Sequence, residues 1–354
     1  MENNPIGIKA IDHLEFTCDS LTTNTAKDFS RLGFARTEVN PEQATELFTQ
    51  GQIRFLLNAN KKADSASRKY FNQHGEGVSK ISFLVDNAEK AIETAVKRGA
   101  VARADLKVTE DEAGVYKTAA IQGFGDVLNE FVERPMTKFR SGYKKLEQDK
   151  DANPLKVRVA RIDHLTNNVP KGEMPHWVDF YKRIYGFVET RYFDIKGIKT
   201  GLQSKVVQLA SGAVIIPINE PEAHNGKSQI QEFLDRHKGP GVQHIALTTP
   251  DIITTVAELR EREIQFLNVP DTYYEDIPKR KLNVTEDLNI LRKNQILVDG
   301  DHEGYLLQIF SDTYVGPLFY EFIQRKNHMG FGEGNFQALF DAIERDQIKR
   351  GYLK

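Results

Sequence analysis

The 354-residue chain carries the same four short stretches twice, in the same order. AIDHLEF (Ala10 to Phe16) resembles RIDHLTN (Arg161 to Asn167), and DFSRLGF (Asp28 to Phe34) resembles FYKRIYGF (Phe180 to Phe187). GVSKISFLVDN (Gly77 to Asn87) resembles GVQHIALTTPD (Gly241 to Asp251), and NEFVERP (Asn129 to Pro135) resembles YEFIQRK (Tyr320 to Lys326). Four anchors in one order make the halves diverged copies of one unit, so the fold must build one architecture twice. Between the copies, Met136 to Pro154 is charged and poor in aliphatic residues. It reads as a linker or surface connection, which divides the chain into residues 1–150 and 151–354.

Each half also repeats within itself. NAEKAIETAVKRGA sets Ala88, Ile92, Ala95 and Val96 at helical spacing and ends at Gly99; after the second GV strand, Ile252, Val256 and Leu259 do the same. Around these helices lie β-branched and aromatic runs such as IRFLLNA, AVIIPIN, NQILVDG and YLLQIF. The order β-α-β-β-β therefore occurs twice per half. Helices alternating with antiparallel hairpins predict an α+β fold, not a doubly wound one.

Composition removes several function classes. Against 50 acidic residues stand 48 basic ones, a formal charge of −2, which argues against nucleic acid or an anionic membrane as the main partner. Cys18 is the sole cysteine, so neither an intrachain disulfide nor a cysteine metal cluster can form. The start MENNPIGIKAIDHLEF has no basic and apolar leader pattern, and no apolar run is long enough to span a bilayer. The expected location is the cytoplasm.

Overlaying the halves aligns His13, Lys80 and Glu130 with His164, His244 and Glu321. Two histidines and a carboxylate are the facial ligand set of non-haem iron(II), with the opposite positions open. A protonated lysine has no lone pair and repels a dication, so Lys80 ends that role in the first copy. One metal per chain follows. A lone histidine in a strand is more often a hydrogen-bonded structural residue, and His13 with Glu130 takes that reading. Glu321 tips the balance for the second copy, because PLFYEFIQRK is an apolar strand that must pair or neutralise a carboxylate. His74, His176, His224, His237, His302 and His328 sit in polar segments and read as exposed.

DTYYEDI, ILVDGD, YLLQIFSD, GPLFYEFIQRK and GFGEGNFQALFDAIERDQIKRG resemble the C-terminal half of bacterial 4-hydroxyphenylpyruvate dioxygenases. RYFDIKG, TGLQSK, IPINEP and KSQIQEFL match the same family, with dense similarity from about Arg161 to Gly351 and looser similarity before it. The resemblance implies two tandem domains of paired βαβββ modules, each curling into an open barrel as in glyoxalases and extradiol dioxygenases. It implies iron(II) on His164, His244 and Glu321, and conversion of 4-hydroxyphenylpyruvate and O₂ to homogentisate and CO₂ in tyrosine breakdown. The substrate brings its own 2-oxo acid, so no separate 2-oxoglutarate is needed. Ser204, Asn219, Gln229, Gln243 and Gln308 match the family's polar pocket positions, and neutral amides and hydroxyls suit a phenol. Gln308 and Phe310 lie two apart on a strand and face the same way, which would let Phe310 pack on the substrate ring. Phe331 and Phe336 match the ring surfaces of a closing segment. Its helix carries Phe336, Leu339, Phe340 and Ile343 as an apolar stripe, with Lys349 and Arg350 at its C-terminal end and Gly351 to stop it. The glycines of GFGEGNF are not spaced as a dinucleotide fingerprint. By resemblance, a homodimer or homotetramer forms through the N-terminal half.

Three rivals remain. 4-Hydroxymandelate synthase shares fold, metal and substrate, although Phe336 and Asn219 match the dioxygenase pattern. A binding module of the same fold that has lost catalysis is the second, against which the intact triad counts. A ring-cleaving dioxygenase is the third, and GFGEGNF does not support it.

Overall fold

A computed structural model describes residues 3–147, 157–196, 200–222, 227–336, 347–348 and 350–351. The first half supplies β1 (Ile8–Thr17), β2 (Ala35–Asn40), β3 (Thr45–Gln50), β4 (Ile53–Asn58), β5 (Gly77–Val85), β6 (Ala102–Asp111), β7 (Gly114–Gln122), β8 (Leu128–Glu133) and the short β9 (Lys144–Lys145). They form one sheet in the order β6-β7-β8-β5-β1-β4-β3-β2-β9. The second half supplies β10 (Ile162–Asn168), β11 (Val188–Lys196), β12 (Gly201–Gln208), β13 (Ile215–Glu222), β14 (Gly241–Thr248), β15 (Leu297–Gly300), β16 (Tyr305–Val315) and β17 (Leu318–Lys326). Their order, β11-β12-β13-β10-β14-β17-β16-β15, repeats the first sheet's without its short ninth strand.

Within every module the first strand pairs parallel with the last: β1 with β4, β5 with β8, β10 with β13, and β14 with β17. The two modules of a half meet where their first strands pair antiparallel, β1 on β5 and β10 on β14. A parallel return requires a crossover, and a helix supplies it within each module. Ala88–Lys97 crosses over after β5 and Ile252–Glu261 after β14, each capped by an aspartyl-type side chain, Asn87 or Asp251. The α+β fold of four βαβββ modules is thus as expected from the repeat.

The central strands are buried on both faces, as IDHLTNN and LFYEFIQRK show, because one face meets the helices and the other lines the interior of the curled sheet. One continuous apolar core runs through both halves, from Phe16, Phe29 and Phe55 to Tyr181, Tyr185 and Phe322. Each such ring contributes about 1.5–3 kcal/mol by burial. Phe55 stacks near Tyr320, and Asn129 Nδ2 donates to Tyr185 Oη at 2.6 Å, so the halves pack directly on one another.

Two expectations need correction. Met136–Pro154 is not simply a linker: Phe139 and Tyr143 are buried against Leu47 and Leu56, and Lys144–Lys145 pair with β2. Two aromatic anchors outweigh a charged composition. The boundary at residue 150 lies outside the described residues. His74 and His237 are buried, not exposed, and stack on each other across the two halves with ring centroids 4.4 Å apart. Each ends a helix at the contact between halves, a placement that local polarity does not reveal. No helix among the described residues is long and apolar enough to cross a membrane.

Candidate metal centre and active site

β10, β14 and β17 lie side by side, and their register assembles the site. His164 stands opposite Ala246 across the antiparallel ladder, and Ala246 stands opposite Glu321 across the parallel one. Alanine leaves room above the middle strand, so His164 Nε2 and Glu321 Oε2 approach to 3.2 Å over it. His244 precedes Ala246 by two residues, on the same face of β14. Its Nε2 lies 3.6 Å from the same carboxylate oxygen. All three donor atoms fall within 4.8 Å of one another. The residues that the overlay singled out, 80 and 77 positions apart along the chain, therefore converge.

The ring orientations suit a metal. His164 Nδ1 donates to Asp163 Oδ2 at 2.9 Å, and His244 Nδ1 donates to Gln243 Oε1 at 3.1 Å. With both Nδ1 protons engaged outward, both Nε2 atoms turn to the centre, as metal ligation requires. Glu321 is 2 % exposed and its Oε1 has no hydrogen-bond partner among the described residues. A buried carboxylate oxygen left unpaired costs on the order of 1–3 kcal/mol, which a cation would relieve. Burial opposes charge on His164, but Glu321 and Asp163 outweigh it and raise the metal-free imidazole to about 9. Burial and the neighbouring His164 charge push His244 well below its ordinary value, leaving it neutral. The donor set, burial and orphaned oxygen all fit a divalent metal.

The cavity beside the triad is walled mainly by apolar side chains. Phe319 stacks on the His244 ring at 4.8 Å, and Phe331 meets His164 edge-on at 5.4 Å. Of the pocket residues expected from the sequence, Ser204, Asn219, Gln229, Gln243, Phe310, Phe331 and Phe336 line it. Ser204 and Asn219 face each other across β12 and β13, and Phe310 stands opposite Glu321. Gln308 is not among the lining residues. It is fully buried, and its amide lies so close under Gly332 (φ +79°) that a Cβ there would sit 2.2 Å from Nε2. Both amide atoms lack partners among the described residues. The segment after β17 folds over Gln308, which alternation along a strand cannot foresee. Of the expected closing stripe, Phe336 is described, whereas Leu339, Phe340, Ile343 and Lys349 lie outside the described residues.

Sequence reasoning passed over Thr166, whose Oγ1 bonds His244 Nε2 at 2.9 Å, and the Phe193 and Phe319 rings. It also passed over Asp163 and Arg325, joined by two hydrogen bonds of 2.9 and 2.6 Å. A signal for this last pair existed: the Asp before the histidine and the Arg four residues after the glutamate recur in both halves.

The first half preserves the frame without the metal set. Ser82 replaces Ala246 and bonds both His13 (3.0 Å) and Glu130 (2.8 Å), filling the gap over the middle strand. Lys80 takes the place of His244 and pairs with Glu15 at 2.9 Å and Glu130 at 3.6 Å, while Arg140 also binds Glu130. Burial disfavours the Glu130 carboxylate, yet Arg140 and Lys80 hold it down to about 2. Two fixed cations stand where the other half would hold a metal.

Comparison with known proteins agrees with this geometry. Residues 2–144 match the family described as "Hydroxyphenylpyruvate dioxygenase, HPPD, N-terminal", and residues 161–277 match the "Glyoxalase/Bleomycin resistance protein/Dioxygenase superfamily". The chain is 41% identical to Protein MelA of Shewanella colwelliana, over 99% of each chain. It is 40% identical to the 4-hydroxyphenylpyruvate dioxygenase of Legionella pneumophila strain Corby, over 99% of this chain and 98% of that one. Among solved structures, a mutant of 4-hydroxymandelate synthase from Streptomyces coelicolor superposes with a TM-score of 0.83 at 25% identity, covering 96% of this chain and 99% of that one. Full-length identity at this level, on a duplicated βαβββ frame with a two-histidine, one-carboxylate centre, shows that the chain belongs to the 4-hydroxyphenylpyruvate dioxygenase family.

Proposed function

We propose that this chain is a 4-hydroxyphenylpyruvate dioxygenase in which iron(II) sits on His164, His244 and Glu321, one ion per chain. The observation that carries the reading is the convergence of those three side chains, all at least half-buried, at one end of a mainly apolar cavity. The reaction balances as 4-hydroxyphenylpyruvate plus O₂ giving homogentisate plus CO₂, with one oxygen atom in the new carboxylate and one on the ring. Two neutral imidazoles and one carboxylate would leave a bound iron(II) with positions for the 2-oxo acid and O₂, whose activation is the chemistry the metal supplies.

The protein's own residues bind, orient and keep the site dry. Asp163 and Gln243 hold the two imidazoles in the tautomer that presents Nε2 inward. Phe310, Phe331 and Phe336 would pack against the substrate ring and exclude water, and Phe319 stiffens His244 by stacking. Ser204, Asn219, Gln229 and Gln243 supply neutral donors and acceptors for the polar ends of the substrate. Gln308 would join them where the segment around Gly332 lifts from its amide. In this reading residues 151–354 are the catalytic domain and residues 1–150 a non-catalytic one. It extends to a cytoplasmic homodimer or homotetramer assembled through the N-terminal half, which light scattering of the purified chain tests.

Anaerobic loading with iron(II) followed by substrate should give the visible charge-transfer band of a chelated 2-oxo acid. Exposure to O₂ should then release homogentisate. His244→Ala should abolish the band and the product together. 4-Hydroxymandelate as product would replace this reading with the synthase, and absence of metal binding and O₂ uptake would replace it with an inactive binding module.

A further inference from the structure

We propose that Arg325 is a positioning residue that ties the orientation of the His164 ligand to the seating of the segment carrying Phe331 over the cavity. The inference rests on the reading of His164 as a metal ligand. Arg325 is the penultimate residue of β17, four residues after Glu321 and on the same face of the strand. Its guanidinium spends its two edges on two different parts of the molecule. Nε and Nη2 bind the two oxygens of Asp163 at 2.9 and 2.6 Å, and Asp163 fixes His164 Nδ1. Nη1 donates to the carbonyl oxygens of His328 (3.0 Å) and Gly330 (2.6 Å), the two residues that flank Met329 in the segment leading to Phe331. The guanidinium also lies 6.0 Å from the Phe331 ring centroid, and that ring meets His164 edge-on at 5.4 Å. The contacts thus close a circuit: His164, Asp163, Arg325, the segment 328–331, and back through Phe331 to His164. A shift of the ring or of the segment must be felt by the other through one planar, nearly buried cation.

The first half contains the same circuit in a form that has nothing to switch. Arg134 binds Asp12 at 2.8 Å and donates to the carbonyls of Pro135 and Lys138, both at 3.0 Å. It lies 6.0 Å from the Phe139 ring, which meets His13 at 5.0 Å. There the segment is sealed by Tyr143 and by the pairing of β9 with β2, and His13 faces Ser82 and Glu130 instead of a ligand set. In the second half the same segment borders an open cavity, and Met329 on it is 63% exposed. An inherited structural clamp thereby links a ligand to one wall of the cavity. Lysine could hold the charge beside Asp163 but could not also serve both carbonyls, having three donors on one atom instead of a planar fork.

The test uses the full-length chain, anaerobic cobalt(II) titration followed by its visible absorption, and amide hydrogen exchange of residues 328–334. In the unsubstituted protein, saturating cobalt(II) should slow exchange of this segment several-fold. Arg325→Gln should weaken cobalt(II) binding about 10–100-fold, as loss of an outer hydrogen-bonding partner does, and should remove the metal-linked protection. Arg325→Lys should keep cobalt(II) affinity within roughly fivefold, because the charge beside Asp163 remains, yet lose the protection. Arg134→Gln should alter neither. If Arg325→Gln does not fold, Arg325→Lys against Arg134→Gln decides. Retained metal-linked protection in either Arg325 variant, or an equal loss of affinity in Arg134→Gln, overturns the proposal. An unsubstituted protein that binds no cobalt(II) overturns the ligand reading itself, whereas one that binds it with no change at 328–334 overturns the linkage alone.

Discussion

Positions 80 and 244 occupy the same place in two copies of one strand, and the side chain there separates a metal centre from a salt bridge. Burial and the neighbouring His164 push His244 well below its ordinary value, so its imidazole is neutral and its Nε2 lone pair, which accepts from Thr166 Oγ1, can serve a cation instead. Lys80 brings its own cation, and burial, which works against its charge, is outweighed by Glu130 and Glu15. Removing one partner from such a buried group strands the others, so Lys80→Ala should destabilise the fold by about 3–5 kcal/mol. Urea unfolding measures this, and a change below about 1 kcal/mol would mean that Arg140 alone neutralises the cluster. At this scale residue type was legible, because a lone pair or an ammonium is a property of the side chain itself. Partnership was less so: Asp163 reads as one more acidic residue until Arg325, 162 positions away in the chain, is seen against it.

The strand GVQHIALT shows what a whole element adds. Alternation places its residues on alternate faces, but its first residue is a glycine for a reason outside the strand. A Cβ at Gly241 would stand 2.5 Å from the His237 ring, and one at Gly77, in the sister strand, 3.2 Å from Tyr70 Oη. Gly241→Ala should therefore push His237 out of its stack and lower stability by about 1–3 kcal/mol through overpacking. It should also disturb metal binding at His244, three residues along β14. Thermal melting with cobalt(II) titration checks both, and an unchanged melting temperature would mean that the His237 ring yields freely. At Met136–Pro154 charge density suggests a linker or surface connection, whereas Phe139 and Tyr143 are buried against Leu47 and Leu56 of the sheet. Burial of two rings is decided by what lies opposite them, and local composition does not report that.

At the scale of the molecule, the contact between halves includes a titratable histidine, His237. His74 Nδ1 donates to the His237 carbonyl at 2.7 Å, His74 Nε2 faces Asp126 at 2.9 Å, and Tyr70 Oη donates to His237 Nε2 at 2.8 Å. Burial, aided by His74, lowers His237 from 6.5 to about 4, with the Gly239 carbonyl and Asp126 opposing. Its folded value lies below its unfolded one, so the unfolded chain binds the proton more readily. Stability from this residue is complete above pH 6.5 and is lost as pH falls toward 4, by about 3 kcal/mol. Urea unfolding at pH 7 and pH 4.5 should show this loss, and His237→Gln should shrink it; an equal loss in the variant would place the titration elsewhere. The repeat, the four βαβββ modules and the three ligand types were all present in the order of residues, since periodicity and side-chain chemistry are local properties. Only the tertiary structure decided that the ligands meet over Ala246, that the segment around Gly332 lies on Gln308, and that two polar-looking histidines join the halves. Each of those outcomes depends on strand register and on packing between residues far apart in the chain, where no local pattern constrains which surfaces come into contact.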